Sequence, residues 1–150
     1  MMLLPLLGAG DAPEDVKQRG VDLGVAIQLT NVLRDVGADA AVNRVYLPLE
    51  DLETCGADLD DVLRGKLTPE YVKAVEVQIA RARELYASAR SAVPDLPENA
   101  RLVVCAIIEL LEAIVDELEA RGGDSLTRKL KPTKVAVLQA LFRALRTSSR

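Results

Sequence analysis

Apolar residues recur along most of the chain at intervals of three to four, which is the period of a helix with one buried face. Proline, glycine and short polar residues divide this pattern into segments. The spacing predicts four long helices, at residues 13–40, 69–93, 97–121 and 132–145. Two shorter helical pieces are expected between the first and the second of them. No stretch alternates apolar and polar residues over a useful length, so no strand is predicted.

The predicted helices begin and end at recognisable signals. Asp11 is a candidate N-cap of the first helix, and Asp15 suits the positive end of its dipole. Pro94 should stop the second long helix because proline cannot continue the hydrogen-bond ladder. Gly122 and Gly123 follow the third helix, where glycine commonly terminates a helix. These signals favour separate packed helices over one continuous coil.

The composition also favours packed helices. The chain has 150 residues, enough for one domain with a real core. Hydrophobic residues make up 49% of it, but aromatic residues only 3%, and there is no tryptophan. The core must therefore consist of leucine, valine, isoleucine and alanine, which suits helices better than a β-sandwich. We expect a single all-α domain, a helical bundle, over residues 1–150.

Charge and the rarer residue types exclude several classes of function. The net charge of −4 argues against nucleic acid as the main partner. The absence of histidine excludes histidine-based catalytic triads and the usual zinc sites. Cys55 and Cys105 have no metal-like spacing and are interpreted as reduced thiols of a cytoplasmic protein. The apolar start of the chain is broken by Pro5 and lacks a basic flank, so it is not interpreted as a signal peptide.

One face of the first predicted helix carries a row of short polar side chains. At about 100° per residue the row falls within about 80° of arc, and it extends over about 16 Å. Its members are Gln28, Asn31, Asp35 and Asp39. The face has no lysine, arginine or glutamate, and aspartate and asparagine are poor helix formers. Spacing alone leaves two interpretations open, an exposed helix side and a site for a hard cation such as Mg²⁺.

The sequence around this row resembles a known family. The stretch LGVAIQLTNVLRDVGADAAVNRVYLP, residues 23–48, is similar to the second aspartate-rich motif of the squalene/phytoene synthases. That motif is close to QLTNILRDVxED followed by GRxYLP, and the following LPLEDL favours the phytoene synthase branch. The resemblance continues more loosely to about residue 140. It implies an all-helical isoprenoid synthase fold, of which this chain would be the C-terminal half.

The resemblance also implies a reaction, a cofactor and a set of site residues. The reaction would be Mg²⁺-dependent, head-to-head joining of two prenyl diphosphates, with geranylgeranyl or farnesyl diphosphate as substrate. The implied metal ligands are Asn31, Asp35 and Asp39. Gln28 would bind near the reacting diphosphate, and Arg128 and Lys129 fall where the family has a phosphate-binding cation. The apolar product is compatible with peripheral membrane association.

Three features depart from the family pattern. Ala38 stands where an acidic residue usually precedes the last aspartate, and Leu111 and Glu112 stand where a tyrosine and a basic residue are usual. The first DxxxD motif is absent, because Asp11 and Asp15 have that spacing but are interpreted as helix-start residues. Three hypotheses remain open. One is half of a prenyltransferase, completed by a missing N-terminal half or by a homodimer. The second is a non-catalytic helical remnant or subunit that binds a partner helix. The third is a stand-alone four-helix bundle whose aspartate row is an exposed surface.

Overall fold

A computed structural model describes residues 13–148 of the chain, and these residues form helices, turns and loops without a strand. The all-α prediction is therefore confirmed. A short 3₁₀ turn, Val93–Asp95, joins the fourth helix to the fifth. The α-helices are α1 Glu14–Ala40, α2 Leu49–Cys55, α3 Leu59–Leu63, α4 Pro69–Ser91, α5 Glu98–Ala120 and α6 Lys134–Ser148.

The observed helix ends follow the signals in the sequence. Pro94 lies in the 3₁₀ turn directly after α4. Gly122 and Gly123 follow α5 with φ angles of 64° and 79°, a left-handed conformation that glycine adopts without strain. The last helix extends three residues beyond its predicted end. The candidate N-cap Asp11 and the apolar start of the chain lie outside the described residues.

The chain divides into two compact units. Within the described residues, unit 1 comprises 13–28, Ala82–Ala113 and 132–148, and unit 2 comprises Leu29–Arg81 and Ile114–Lys131. Three helices, α1, α4 and α5, each run from one unit into the other. The expectation of a single domain stays a prediction.

Unit 1 contains a buried carboxylate that bonds to two arginines. Glu109 of α5 is 6% exposed. Its Oε1 accepts a hydrogen bond from Arg90 of α4 at 2.7 Å, and its Oε2 lies 2.8 Å from Arg143 of α6. Arg90 also bonds to Glu112, which explains an acidic residue at that position in this chain. Because a buried charge is costly unless it is paired, these ion pairs fix α4, α5 and α6 to one another within the unit.

Unit 2 contains a buried tyrosine that anchors the segment after α5. Tyr71 of α4 is fully buried, and its hydroxyl lies 2.7 Å from Oγ of Ser125. Burial raises the pKa of Tyr71 to about 12, because the phenolate would lose its hydration. The hydrogen bond to Ser125 and the nearby charge of Asp124 act on the pKa less strongly. Tyr71 is therefore a neutral structural contact at physiological pH.

Tyr71 should make the stability of the protein decrease in alkali. Its pKa is about 12 in the folded chain and about 10 in the unfolded chain. The stabilising contribution is therefore complete below pH 10 and is lost as the pH rises through 12. At about 1.36 kcal/mol per pKa unit, the full loss is on the order of 3 kcal/mol. Tyr71→Phe should reduce the alkaline loss, measured by urea unfolding from neutral pH to about pH 11. Equal pH slopes in both proteins would contradict this role.

The two cysteines of the chain differ in how deeply they are buried. Cys55 is half-buried and Cys105 is fully buried, and both are free thiols. Burial raises the pKa of Cys105, which keeps this thiol protonated and unreactive. No helix within residues 13–148 is both long enough and apolar enough to cross a membrane.

Candidate functional site

Helix α1 has a buried side and a polar side. The buried residues are Val16, Leu23, Ala26, Thr30, Leu33, Val36 and Ala40. The polar row lies on roughly the opposite side of the helix, at about 100° per residue. Gln28 is exposed, whereas Asn31, Asp35 and Asp39 are half-buried. The row therefore occupies the side of α1 that the described residues leave open. That the row lines a substrate groove stays a prediction.

Asp35 is paired with its neighbour in the sequence. Arg34 donates from Nε to Oδ1 of Asp35 at 2.9 Å and from Nη2 to Oδ2 at 2.5 Å. These hydrogen bonds hold the pKa of Asp35 below its usual value. Partial burial opposes the effect, and the charges of Arg34 and Lys129 reinforce it. Asp35 is therefore a carboxylate at every physiological pH. The sequence prediction missed this pair, because adjacent helix residues do not usually face each other.

Asp39 lies in the last turn of α1 and also shapes the turn that follows. Its backbone carbonyl accepts hydrogen bonds from the amides of Val42 and Arg44, at 3.0 and 2.9 Å. Asn43 in this turn has a φ of 60°, in the left-handed region that asparagine tolerates. The motif that this stretch resembles has glycine at this position, and glycine also tolerates a left-handed backbone. The turn separates the acidic end of α1 from the exposed Tyr46.

A loop segment packs closely against the acidic end of α1. The amide of Gly37 donates to the carbonyl of Ser125 at 3.2 Å. A Cβ atom on Gly37 would lie only 2.3 Å from the carbonyl oxygen of Leu126. The absence of a side chain at Gly37 therefore permits this approach. It brings the charge of Lys129 within electrostatic reach of Asp35. The signal in the sequence was a glycine inside a long helix, which usually has a packing or functional reason.

The same segment carries both candidate phosphate-binding residues. Asp124 stabilises the turn at the start of this segment. Its carboxylate accepts one hydrogen bond from the amide of Thr127, at 2.9 Å, and another from the hydroxyl of Thr127. Partial burial would raise the pKa of Asp124, but these bonds and the charge of Arg128 lower it below its usual value. Arg128 and Lys129 are both exposed. The charge of Arg128 thus acts on Asp124, whereas that of Lys129 acts on Asp35.

The three candidate metal ligands lie in unit 2, and they do not form a closed cage. Within residues 13–148, no group of three or more cysteine, aspartate or glutamate side chains could hold a metal ion by itself. The row offers two carboxylates and one amide oxygen. An ion at such a site must complete its shell with water or ligand oxygens, as Mg²⁺ often does. Gln28 belongs to unit 1, and its binding role stays a prediction.

Comparison with known sequences identifies a match along most of the chain. The family model described as squalene/phytoene synthase matches residues 1–137. Phytoene synthase 3, chloroplastic, from Zea mays is 38% identical over 148 residues, covering 96% of this chain and 35% of the relative. Phytoene synthase 2, chloroplastic, from Solanum lycopersicum is 37% identical over 149 residues, covering 95% of this chain and 48% of the relative. The chain thus spans less than half the length of these relatives.

Solved structures show the same arrangement of helices. YisP from Bacillus subtilis superposes with a TM-score of 0.81 at 28% identity, covering 94% of this chain and 56% of that one. A dehydrosqualene synthase in complex with ligand also gives a TM-score of 0.81, at 24% identity, covering 91% of this chain and 48% of that one. Because its identity to this chain is only 24%, the dehydrosqualene synthase shows a similarity of fold alone. Both matches again leave much of the other chain without a counterpart here.

Proposed function

The chain belongs to the squalene/phytoene synthase family, and from that premise we propose that it supplies the acidic helix of a prenyltransferase. The reaction we propose is the head-to-head joining of two prenyl diphosphates in isoprenoid, and more narrowly carotenoid, biosynthesis. Its architecture is the all-helical isoprenoid synthase fold. The observation that carries the proposal is the position of Asn31, Asp35 and Asp39 on the open side of α1.

We propose Mg²⁺ as the cofactor, held by Asn31, Asp35 and Asp39. The donors fit, because amide and carboxylate oxygens are the ligands that this hard ion prefers. Asp39 lies at the negative end of the helix dipole, and the last turn of α1 contains no basic residue. Asp35, one turn earlier, adds like-charge repulsion. The pair is thus unfavourable for the helix alone and would be relieved by a cation. When bound, Mg²⁺ would stabilise the negative charge on a departing diphosphate.

Two basic residues are placed to act together with these carboxylates. Arg34 holds both oxygens of Asp35, which keeps the carboxylate ionised and oriented before any ligand arrives. A cation at Asp35 must therefore share or replace these hydrogen bonds. Lys129 already interacts electrostatically with Asp35, so its ammonium group could meet a diphosphate held beside that carboxylate. The charge of Arg128 acts on Asp124 instead, and we assign Arg128 a weaker contribution.

A second candidate function has an observation in its favour. Unit 1 exposes large apolar side chains on α1 and α5, with Val25 at 48%, Leu102 at 41% and Val103 at 45%. Exposed apolar residues on two helices are typical of a surface that another element covers. A non-catalytic helical subunit that binds a partner helix would use such a surface. Binding of Mg²⁺ and diphosphate distinguishes the two candidates, because only the prenyltransferase requires it.

Asp35→Asn should weaken the binding of Mg²⁺ with inorganic pyrophosphate by roughly tenfold or more, because it removes one charged ligand. The unfolding free energy in metal-free buffer should change by less than about 1 kcal/mol. The lost pairing with Arg34 is offset by relief of the repulsion from Asp39. Binding is measured by titration calorimetry and stability by urea unfolding.

Asp15→Asn is the matched control for this measurement. Asp15 also lies on α1 and also pairs with an arginine, Arg19, at 3.6 Å, but it is outside the polar row. Its substitution should leave pyrophosphate binding unchanged. Equal affinities in Asp35→Asn and the parent would contradict the metal site. A loss of several kcal/mol of stability in Asp35→Asn without metal would assign the carboxylate a structural role instead.

A further inference from the structure

A cavity lined by arginines lies beside the last two turns of helix α6 in unit 1. Its volume is about 470 Å³. The lining residues are Glu109, Arg143, Arg146 and Thr147, and all four belong to unit 1. We call this space the arginine cavity. It uses none of the three candidate metal ligands, which belong to unit 2. The arginine cavity therefore has a chemistry of its own to explain.

The acidic residue of the arginine cavity is already neutralised. Both oxygens of Glu109 are occupied, one by Arg90 at 2.7 Å and the other by Nε of Arg143 at 2.8 Å. The two terminal nitrogens of Arg143 are left for other acceptors. Among residues 13–148, Arg146 pairs with no carboxylate. Because Glu112 also bonds to Arg90, three arginines face two carboxylates here, which leaves one positive charge in excess.

Both arginines of α6 are held in place without a ligand. Arg143 is fixed by its ion pair with the buried Glu109. The guanidinium carbon of Arg146 lies 5.6 Å from the ring centre of Phe142, which supports the charge from one side. The two arginines are three residues apart, so they are neighbours on one helix face. The end of a helix carries about half a negative charge, which is less than the two full positive charges of these side chains.

We infer that the arginine cavity binds the phosphate group of a small phosphorylated molecule. A terminal phosphate has three acceptor oxygens and a charge near −2, which two guanidinium groups match through paired N–H donors. A carboxylate has only two oxygens and one charge, so it fits two such groups less well. Glu109 does not repel the ligand, because its own charge is shared by Arg90 and Arg143. No metal ion is needed at this site.

A smaller cavity offers room for the rest of the ligand. It has a volume of about 170 Å³ and shares Thr147 with the arginine cavity. Val93 and Pro94 give it an apolar wall, and Arg101 adds a positive charge. Arg101 is fixed in turn, because its Nε and Nη2 donate to the carbonyls of Leu96 and Pro94 at 3.0 and 2.8 Å. The ligand class is therefore a phosphate ester whose remaining part is short and partly apolar.

The test is an NMR titration of the full ¹⁵N-labelled chain with inorganic phosphate, in EDTA and at constant ionic strength. The amide signals of residues 143–147 should shift and saturate, whereas acetate at the same ionic strength should give no saturable shift. Arg146→Gln should weaken phosphate binding by roughly tenfold, because it removes one charged donor group. Arg146→Lys keeps the charge but loses the paired donors, so its affinity should lie between the two. Circular dichroism checks that both variants keep the fold.

The matched control is Arg64→Gln, at an exposed arginine of unit 2 that pairs with Asp60 at 3.8 Å. This variant should bind phosphate as the parent does. The inference is wrong if residues 143–147 show no saturable shift, or if Arg146→Gln binds as tightly as the parent. It is also wrong if phosphate shifts only residues 31–39 and only with Mg²⁺ present, which would support the candidate metal site instead. A negative result in EDTA leaves the Mg²⁺ proposal unaffected, so the two proposals fail separately.

Discussion

Replacing Gly37 by alanine is expected to lower the free energy of unfolding by about 3 kcal/mol. The new Cβ would lie 2.3 Å from the carbonyl oxygen of Leu126 and 2.9 Å from that of Ser125. Both obstacles are backbone atoms, so a side-chain rotation cannot relieve the clash. The segment must move away from α1, and the hydrogen bond from Gly37 to Ser125 is then lost. Helix propensity favours alanine by about 1 kcal/mol, which is too little to compensate.

Gly24→Ala is the matched control on the same helix. A Cβ at Gly24 meets no atom within 4 Å. The substitution should therefore show the helix propensity alone and raise the free energy of unfolding by up to about 1 kcal/mol. The two substitutions are chemically identical, so the difference between them isolates the contact with residues 125–126. Both are measured by urea unfolding in metal-free buffer, and equal stabilities would contradict the close packing at Gly37.

Gly37→Ala also tests whether the close packing of residues 125–126 against α1 affects the candidate site. Ser125 is held by Gly37 on one side and by the hydroxyl of Tyr71 on the other. Its position determines where Lys129 lies four residues later. If the segment moves, the charge of Lys129 moves away from Asp35, and Mg²⁺–pyrophosphate binding should weaken as well. The contribution of Gly37 is thus indirect, because it positions a cation and provides no binding atom.

The helices were predictable because their ends are marked by local chemistry. Proline and glycine act through their own backbone geometry, so Pro94, Gly122 and Gly123 end the helices regardless of tertiary structure. The identity of the buried face was less predictable. In α6 the alanines are buried and the leucines and Phe142 are exposed, which periodicity cannot reveal.

The sequence identifies the acidic and basic candidate residues of the site but not the contacts between them. Asp35 and Asp39 stand out because they weaken a helix that has no local need for them. The pairing of Arg34 with Asp35 depends on how the arginine side chain folds back along α1, and a helical wheel does not give this information. The approach of Lys129 to Asp35 depends on a contact between distant parts of the sequence. Local rules therefore identify candidate ligands but not the electrostatic environment around them.

The chain by itself is expected to form no coupled prenyl product above the no-enzyme blank. Within residues 13–148 no group of three or more cysteine, aspartate or glutamate side chains is placed to hold a metal ion on the other side of a diphosphate. The chain spans 35% and 48% of two related phytoene synthases, so more than half of each relative has no counterpart in it. Orienting two reactants contributes about 7–11 kcal/mol in well-positioned reactions, and a half-open site cannot supply this. Water would also reach and quench an allylic cation.

The measurement is incubation of the purified chain with Mg²⁺ and radiolabelled geranylgeranyl or farnesyl diphosphate, followed by extraction of the products with hexane. Prenyl alcohol alone would fit an open site, because water then captures the cation before the second substrate does. A coupled product that is absent with Asp35→Asn and present with Asp15→Asn would show that the chain is a complete catalyst through its acidic row. The proposal that the chain needs a further part to complete its site would then be wrong. Sedimentation at the assay concentration would show whether two copies of the chain share the reaction. A coupled product that also survives Asp35→Asn would instead remove the acidic row of α1 from the chemistry.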